Sequence, residues 1–240
     1  MERHLSTAEL GTIASIWAHP DDESYLAGGV MAAAVAAGQR VVCVSASAGE
    51  RGTDNPELWP PDRLGRVRRW EAAAAMAVLG VREHHLLGYP DGGLAALDPA
   101  EPVDRIAALL ADVAPDTILT FGPDGVTFHS DHRTVSSWVA AAWDRAGRPG
   151  RLLHSTMSDV HLGKWARTYE DWNVYITDER PVGVPVDDLA VYTRLEGVAL
   201  DQKVTALSAM YTQTAGAITM LGEAYRDLNA EECFVAAPEG

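Results

Sequence analysis

The chain is expected to be an α/β protein: a Rossmann-like parallel sheet with helices on both faces and an irregular C-terminal cap. Two observations lead there. Over the first two thirds, short β-branched runs alternate with longer Ala-rich stretches, the pattern of successive βαβ units. Beyond about Ser158 the alternation is lost, and no repeat of solenoid length or low-complexity linker divides the 240 residues. The simplest organisation is one domain over 1–240, with about 158–240 as a variable cap on the substrate side.

The elements follow in order. Thr12 to Trp17 reads as the first strand and Ala-rich Tyr25 to Ala37 as the first helix. Arg40 to Ser45, with its run Val41-Val42-Cys43-Val44, is the second strand. Asp62 to Leu79 is helical, with Leu64, Val67, Met76 and Leu79 apolar and Gly80 placed as a stop. His84 to Leu87, Thr117 to Phe121 and Leu152 to Thr156 supply three further strands, and Val103 to Val113 and Thr134 to Asp144 the helices between them. Later, Trp172 to Thr177 and Val182 to Val186 look extended, and Gln202 to Thr212 is the last helix.

Composition narrows the function. With 34 Asp and Glu against 19 Lys and Arg, the formal charge is −15. That sign opposes binding to nucleic acid, which needs a basic surface to release counterions, and docking on anionic lipid. Cys43 and Cys233 are the two cysteines, too few for a disulfide framework, so a reducing cytoplasm is expected. Met1 to Gly11 lacks the apolar centre of a secretion signal, and the nearly uncharged stretch Leu26 to Gln39 is short of the ~20 residues of a membrane span.

Two segments carry chemistry. After the first strand comes Ala18-His19-Pro20-Asp21-Asp22-Glu23. Helix capping accounts for one or two of these acids, since Asp favours the N-cap and the positive end of the helix dipole. Capping does not require His19 and leaves three neighbouring acids repelling one another, which a bound cation would relieve. After the fourth strand the chain reads Phe128-His129-Ser130-Asp131-His132, two imidazoles with an acid between them. The alternative is a Gly- and Asp-rich turn with two surface histidines. In a sheet of order 3-2-1-4-5 the first and fourth strands are neighbours, and ligands bind in the crevice at their carboxyl ends. His19, Asp22 and His132 can converge there as a two-His, one-carboxylate set with open positions. No Gly-x-Gly-x-x-Gly, Walker A or Gly-x-Ser-x-Gly pattern offers a competing chemistry.

Together these motifs resemble the LmbE-like, or PIG-L, family of metal-dependent N-deacetylases. The resemblance extends through Ala48-Gly49-Glu50, Arg68 and Glu71, Gly88-Tyr89-Pro90-Asp91-Gly92, and Lys203 to Gln213. It implies His19, Asp22 and His132 as metal ligands, with Zn2+, or Fe2+ or another divalent ion, as cofactor. It implies Asp21 as general base toward the attacking water. His129, held cationic by Asp131, is expected to serve the oxyanion or the departing amine, and Arg68 and Asp91 to contact substrate. The implied substrate is a small N-acylated molecule such as an acetylated amino sugar, and a homo-oligomer is a candidate state. This chain departs from the family pattern at Ser130, where Pro is common, at Phe128, where a small residue is common, at Thr127, where some members have Tyr, and at Met210, where His is frequent. The two-His, one-carboxylate set also suits a mononuclear non-haem iron enzyme, and a non-catalytic sugar- or metal-binding module is a further reading.

Other features have plain structural readings beside functional ones. Strand alternation sends His84 and His85 to opposite faces, against a joint metal site. His154 and His161 are candidates for the substrate side of the crevice. Arg63, Arg66 and Arg69 read as a solvated helix face. Trp165, Tyr169, Trp172 and Tyr175 read as cap core or as platforms for a sugar.

Overall fold

The structure, a computed structural model, describes residues 4–238. The reading of Met1 to Gly11 therefore falls partly on residues outside the described ones. The first two thirds form five strands and four helices: β1 (Ile13–Trp17), α1 (Asp22–Ala36), β2 (Val41–Ser47), α2 (Pro61–Leu79), β3 (Glu83–Tyr89), α3 (Ala100–Val113), β4 (Thr117–Phe121), α4 (Ser130–Arg145) and β5 (Arg151–Thr156). Each matches its expected counterpart within a few residues.

The last third is more regular than its sequence suggests. It comprises α5 (Asp159–Asp171), β6 (Val191–Arg194), α6 (Gly197–Ala209), α7 (Tyr211–Leu221), α8 (Ala224–Leu228) and β7 (Glu231–Ala236). Trp172 to Thr177 holds no strand, and Val182 to Val186 contributes only an isolated bridge between Val184 and Ser158. The expected helix Gln202 to Thr212 is broken at Met210, which is buried and turns the chain between α6 and α7. No helix among the described residues is long and apolar enough to cross a membrane.

The sheet order is β3-β2-β1-β4-β5-β7-β6. β1 pairs in parallel with β2 and with β4, and the parallel ladder continues to β3 on one side and β5 on the other. β7 then adds antiparallel to β5, and β6 antiparallel to β7. Right-handed crossovers place α1 and α2 on one face and α3 and α4 on the other, because the chain reverses direction across the sheet after β3. α6 packs against both α1 and α2, and α3 packs against α4.

Burial explains which patterns were legible. β1, β2 and β4 are buried along their whole length, whereas edge strand β3 is mostly half-buried. α3 buries Val103, Ile106, Ala107, Leu110 and Val113, the single stripe of a surface helix. α1 is covered by the sheet on one side and α6 on another, so its Ala- and Gly-rich sequence shows no stripe. At the centre, Trp17 and Phe121 meet edge to face with centroids 4.9 Å apart. They join β1 to β4 just below the two loops that hold the His- and Asp-rich motifs.

Candidate active site

Both motif loops leave from the carboxyl ends of adjacent β1 and β4, at the point where the strand order reverses. The turn into α1 holds Asp21 at φ 118°, and the loop after β4 holds Val126 at 64° and Phe128 at 63°. Positive φ is costly for such residues, Val126 most of all, and strain of this kind collects where a site over-determines the backbone. The Asp21 side chain makes no capping hydrogen bond to the helix it precedes. Asp22 turns back instead, its Oδ2 accepting the His19 amide at 2.8 Å. Capping therefore does not account for the acids.

Three of the expected ligand residues come together. His19 Nδ1 lies 3.3 Å from His132 Nε2 and 3.5 Å from Asp22 Oδ2, and His132 Nε2 lies 3.3 Å from Asp22 Oδ1. A tetrahedron with bonds of about 2.0–2.1 Å has edges of about 3.3–3.4 Å, so this spacing suits one small cation. The ring nitrogens on the far sides fix the tautomers. His132 Nδ1 sits 2.9 Å from the Gly125 carbonyl and 3.2 Å from Thr127 Oγ1, and its ring stacks on Phe121 at 4.2 Å. His19 Nε2 sits 3.1 Å from Asp91 Oδ1 and 3.4 Å from Asp131 Oδ2. Each ring thus donates outward and turns a lone pair toward Asp22, the arrangement that orients metal-binding imidazoles. Further close groupings are His19 with His129 and His132, and His19 with Asp91 and Asp131.

The electrostatics agree. Burial works against a charged His19 ring, but Asp131, Asp22 and Asp91 outweigh it and hold the ring above its ordinary pKa. Burial would raise Asp22, yet His132 and His19 hold it below the usual carboxylate range. The carboxylates around His19 favour a positive charge at one point, which a ring proton or a bound cation satisfies alike.

Other expected residues take different neighbours. Asp131 was expected to pair with the His129 ring. Its carboxylate instead accepts the Gly92 amide at 2.7 Å and the Leu94 amide at 3.2 Å and faces His19. Nδ1 of His129 accepts the Asp131 backbone amide at 3.1 Å. Burial and the nearby His19 charge lower the His129 pKa, so the cationic form expected from the sequence is disfavoured. The neutral ring then keeps its proton on Nε2. Asp91, expected at substrate, accepts the Arg51 amide at 2.7 Å besides holding His19.

Arg68 borders the cavity, but its donors serve the protein. It donates to the carbonyls of Pro20 and Gly49, the latter at 2.7 Å, and to Asp21 Oδ2 at 3.0 Å. Burial raises Asp21 to about 6, with Arg68 pulling the other way. A Cβ at Gly49, where φ is 63°, would lie 2.0 Å from Arg68 Nη1, and one at Gly125, φ 71°, 2.8 Å from the His132 Cβ. Glycine is what lets these two side chains seat.

These groups line a cavity of about 560 Å³. His161, Tyr169 and Trp172 line it too, while Tyr175 packs against Phe128 with centroids 6.1 Å apart. Sequence reasoning missed Tyr25, Gln213, Tyr225 and Glu231, which line the same cavity. Tyr25 lies on α1 one turn past Asp22, while Gln213, Tyr225 and Glu231 come from α7, α8 and β7, far along the chain, so only the tertiary packing of the last third reveals them. Thr127, noted as a departure, bears on His132; Phe128 is buried; Ser130 is the first residue of α4.

Residues 14–143 match the family model described as PIG-L, GlcNAc-PI de-N-acetylase. A 1D-myo-inositol 2-acetamido-2-deoxy-alpha-D-glucopyranoside deacetylase from Kineococcus radiotolerans is 36% identical over 203 residues, covering 67% of this chain and 56% of that protein. The protein of the same name from Saccharomonospora viridis is 32% identical over 229 residues, covering 82% of this chain and 83% of its own. Among solved structures, the N,N'-diacetylchitobiose deacetylase from Pyrococcus horikoshii superposes with a TM-score of 0.66 at 20% identity, covering 95% of this chain and 84% of that one. At that identity the likeness speaks for the fold.

Proposed function

From the premise that this chain belongs to the PIG-L family of GlcNAc-PI de-N-acetylases, we propose that it is a divalent-metal-dependent amide hydrolase that removes an acyl group, acetyl in the simplest case, from an amino sugar or related small molecule. The observation that carries this is the meeting of His19, Asp22 and His132 at 3.3–3.5 Å on the wall of a ligand-sized cavity. Those three residues would hold the metal, with Zn2+ the first choice for two imidazoles and a carboxylate and Fe2+ an alternative. When bound, the ion would supply Lewis acidity and lower a water's pKa from about 15.7 toward about 7.

The chain's own residues supply the rest. Asp21 lines the cavity beside Asp22 with Oδ2 held by Arg68, so its carboxylate is aimed and is placed to take a proton from the attacking water. His129 offers an Nε2–H to the cavity, suited to hydrogen-bond the developing oxyanion or to pass a proton to the departing amine. Asp91 and Asp131 hold the His19 ring.

The test is release of free amine from a panel of N-acetylated sugars and conjugates by protein stripped of metal and reloaded with Zn2+, Fe2+ or Co2+. Metal-dependent amine release supports the reading. Substrate binding with no amine under any metal would leave a binding module, and metal-dependent oxygen consumption would favour the iron enzyme.

A further inference from the structure

We propose that the substrate carries an apolar group, alkyl or aryl, in addition to its acylamino function, and that this group lies against the side of the cavity built by the C-terminal third. The inference rests on the hydrolase reading above and adds the class of substrate. The cavity, about 560 Å³, is of the size that encloses a drug-like ligand, ~300–1,000 Å³. Its polar machinery comes from the β1 and β4 loops. The C-terminal side offers carbon: Met157, Tyr169, Val174, Ala217 and Leu228, with Leu26 of α1, line the same space.

Several of the polar groups on that side already have partners within the protein. His161 Nε2 and the Tyr169 hydroxyl lie 2.7 Å apart, and the Tyr225 hydroxyl donates to the Tyr25 hydroxyl at 3.1 Å. Glu231, its side chain 4% exposed, accepts from Ser158 at 2.5 Å and from Tyr192 at 3.1 Å. A bare sugar ring placed here would find fewer free partners for the hydrogen bonds it gives up with water, whereas an alkyl or aryl group needs none. Two parts of a substrate could supply such a group: the aglycone of an amino sugar, or the acyl chain itself.

The experiment compares kcat/KM of the metal-loaded full chain for N-acetylglucosamine, its octyl β-glycoside, and N-octanoylglucosamine. Calorimetry with octyl β-glucoside, which has no amide, reads binding independently of turnover. At least one octyl substrate should exceed N-acetylglucosamine by about tenfold or more, and which one does so identifies the aglycone or the acyl chain. Ala217→Trp, which fills the space, and Val174→Asp, in a loop and without change to a helix, should each abolish that preference, read as the ratio of kcat/KM values within each variant, and the octyl glucoside binding. Equal kcat/KM for all three, or a preference that survives both variants, overturns the inference. Should no substrate release amine while octyl glucoside binds and both variants abolish it, the hydrolase reading fails and the apolar side stands.

Discussion

Lys203 and Glu232 form an ion pair sealed inside the protein, Nζ to Oε1 at 2.8 Å with both side chains 0% exposed. It is wedged against α1: Glu232 accepts the amides of Gly29 and Val30 at 2.7 and 2.8 Å, while Lys203 donates to the Tyr25 carbonyl at 2.7 Å. One pair thereby ties α6 and β7 to the helix that carries Asp22. Removing one partner strands a buried charge, which costs about 3–5 kcal/mol. Lys203→Met should lower the urea midpoint accordingly. Glu232→Gln strands the Lys203 charge in the same way and sets an NH2 against one of the two backbone N–H groups, so it should cost a similar amount; equal stability of Lys203→Met and the parent would refute the wedge.

Acid should weaken the fold through His84. Burial lowers its pKa from 6.5 to about 4, and its Nε2 lies 3.0 Å from Ser45 Oγ. The unfolded chain therefore binds a proton before the folded chain does. The stability from keeping this ring neutral is complete above pH 6.5, declines as pH falls toward 4, and then levels off. Urea midpoints at about pH 7.5 and about pH 5 should differ less in His84→Asn than in the parent; an identical difference in both would show that His84 is not part of the acid sensitivity.

The parallel half of the fold was legible because each βαβ unit is local: a buried strand, a helix and a turn lie within about 30 residues. The two motifs were legible for the same reason, and topology alone brought them together. What stayed hidden depends on contacts between distant parts. β7 joins the sheet through antiparallel pairing with β5, about eighty positions earlier, which no local period announces. Asp131 illustrates the limit within the site. Its neighbour in sequence is His129, but the backbone amides of Gly92 and Leu94 draw its carboxylate to the other side, beneath His19.

Metal content separates holding a cation from using it. His19→Ala and His132→Ala should each lose most bound divalent metal after dialysis, since each removes one of the inward lone pairs. Asp91→Asn should keep metal but bind it more weakly, by about 10–100-fold, because the neutral amide oxygen left beside the His19 ring replaces a charged partner at 3.1 Å. Chelator competition measures this. Full affinity in Asp91→Asn would mean that Asp131 alone suffices to fix the ring.

The seat of Arg68 gives the sharpest test of how Asp21 is aimed. Gly49 leaves no room for a side chain, because a Cβ there would fall 2.0 Å from Arg68 Nη1. Gly49→Ala must therefore displace the guanidinium and with it the 3.0 Å contact to Asp21. Misplacing a reacting group by about 1 Å can cost about 10²-fold in rate, so kcat should fall by that order while metal content and substrate KM change little. Arg68→Lys should behave alike, since an ammonium cannot span the Pro20 and Gly49 carbonyls and the Asp21 carboxylate with the fixed fork of an arginine. Asp21→Asn should lose turnover at least as severely, again with metal retained. If the first two variants raise KM and spare kcat, Arg68 touches substrate after all, as its place in the family motif suggested, and its hold on Asp21 is incidental.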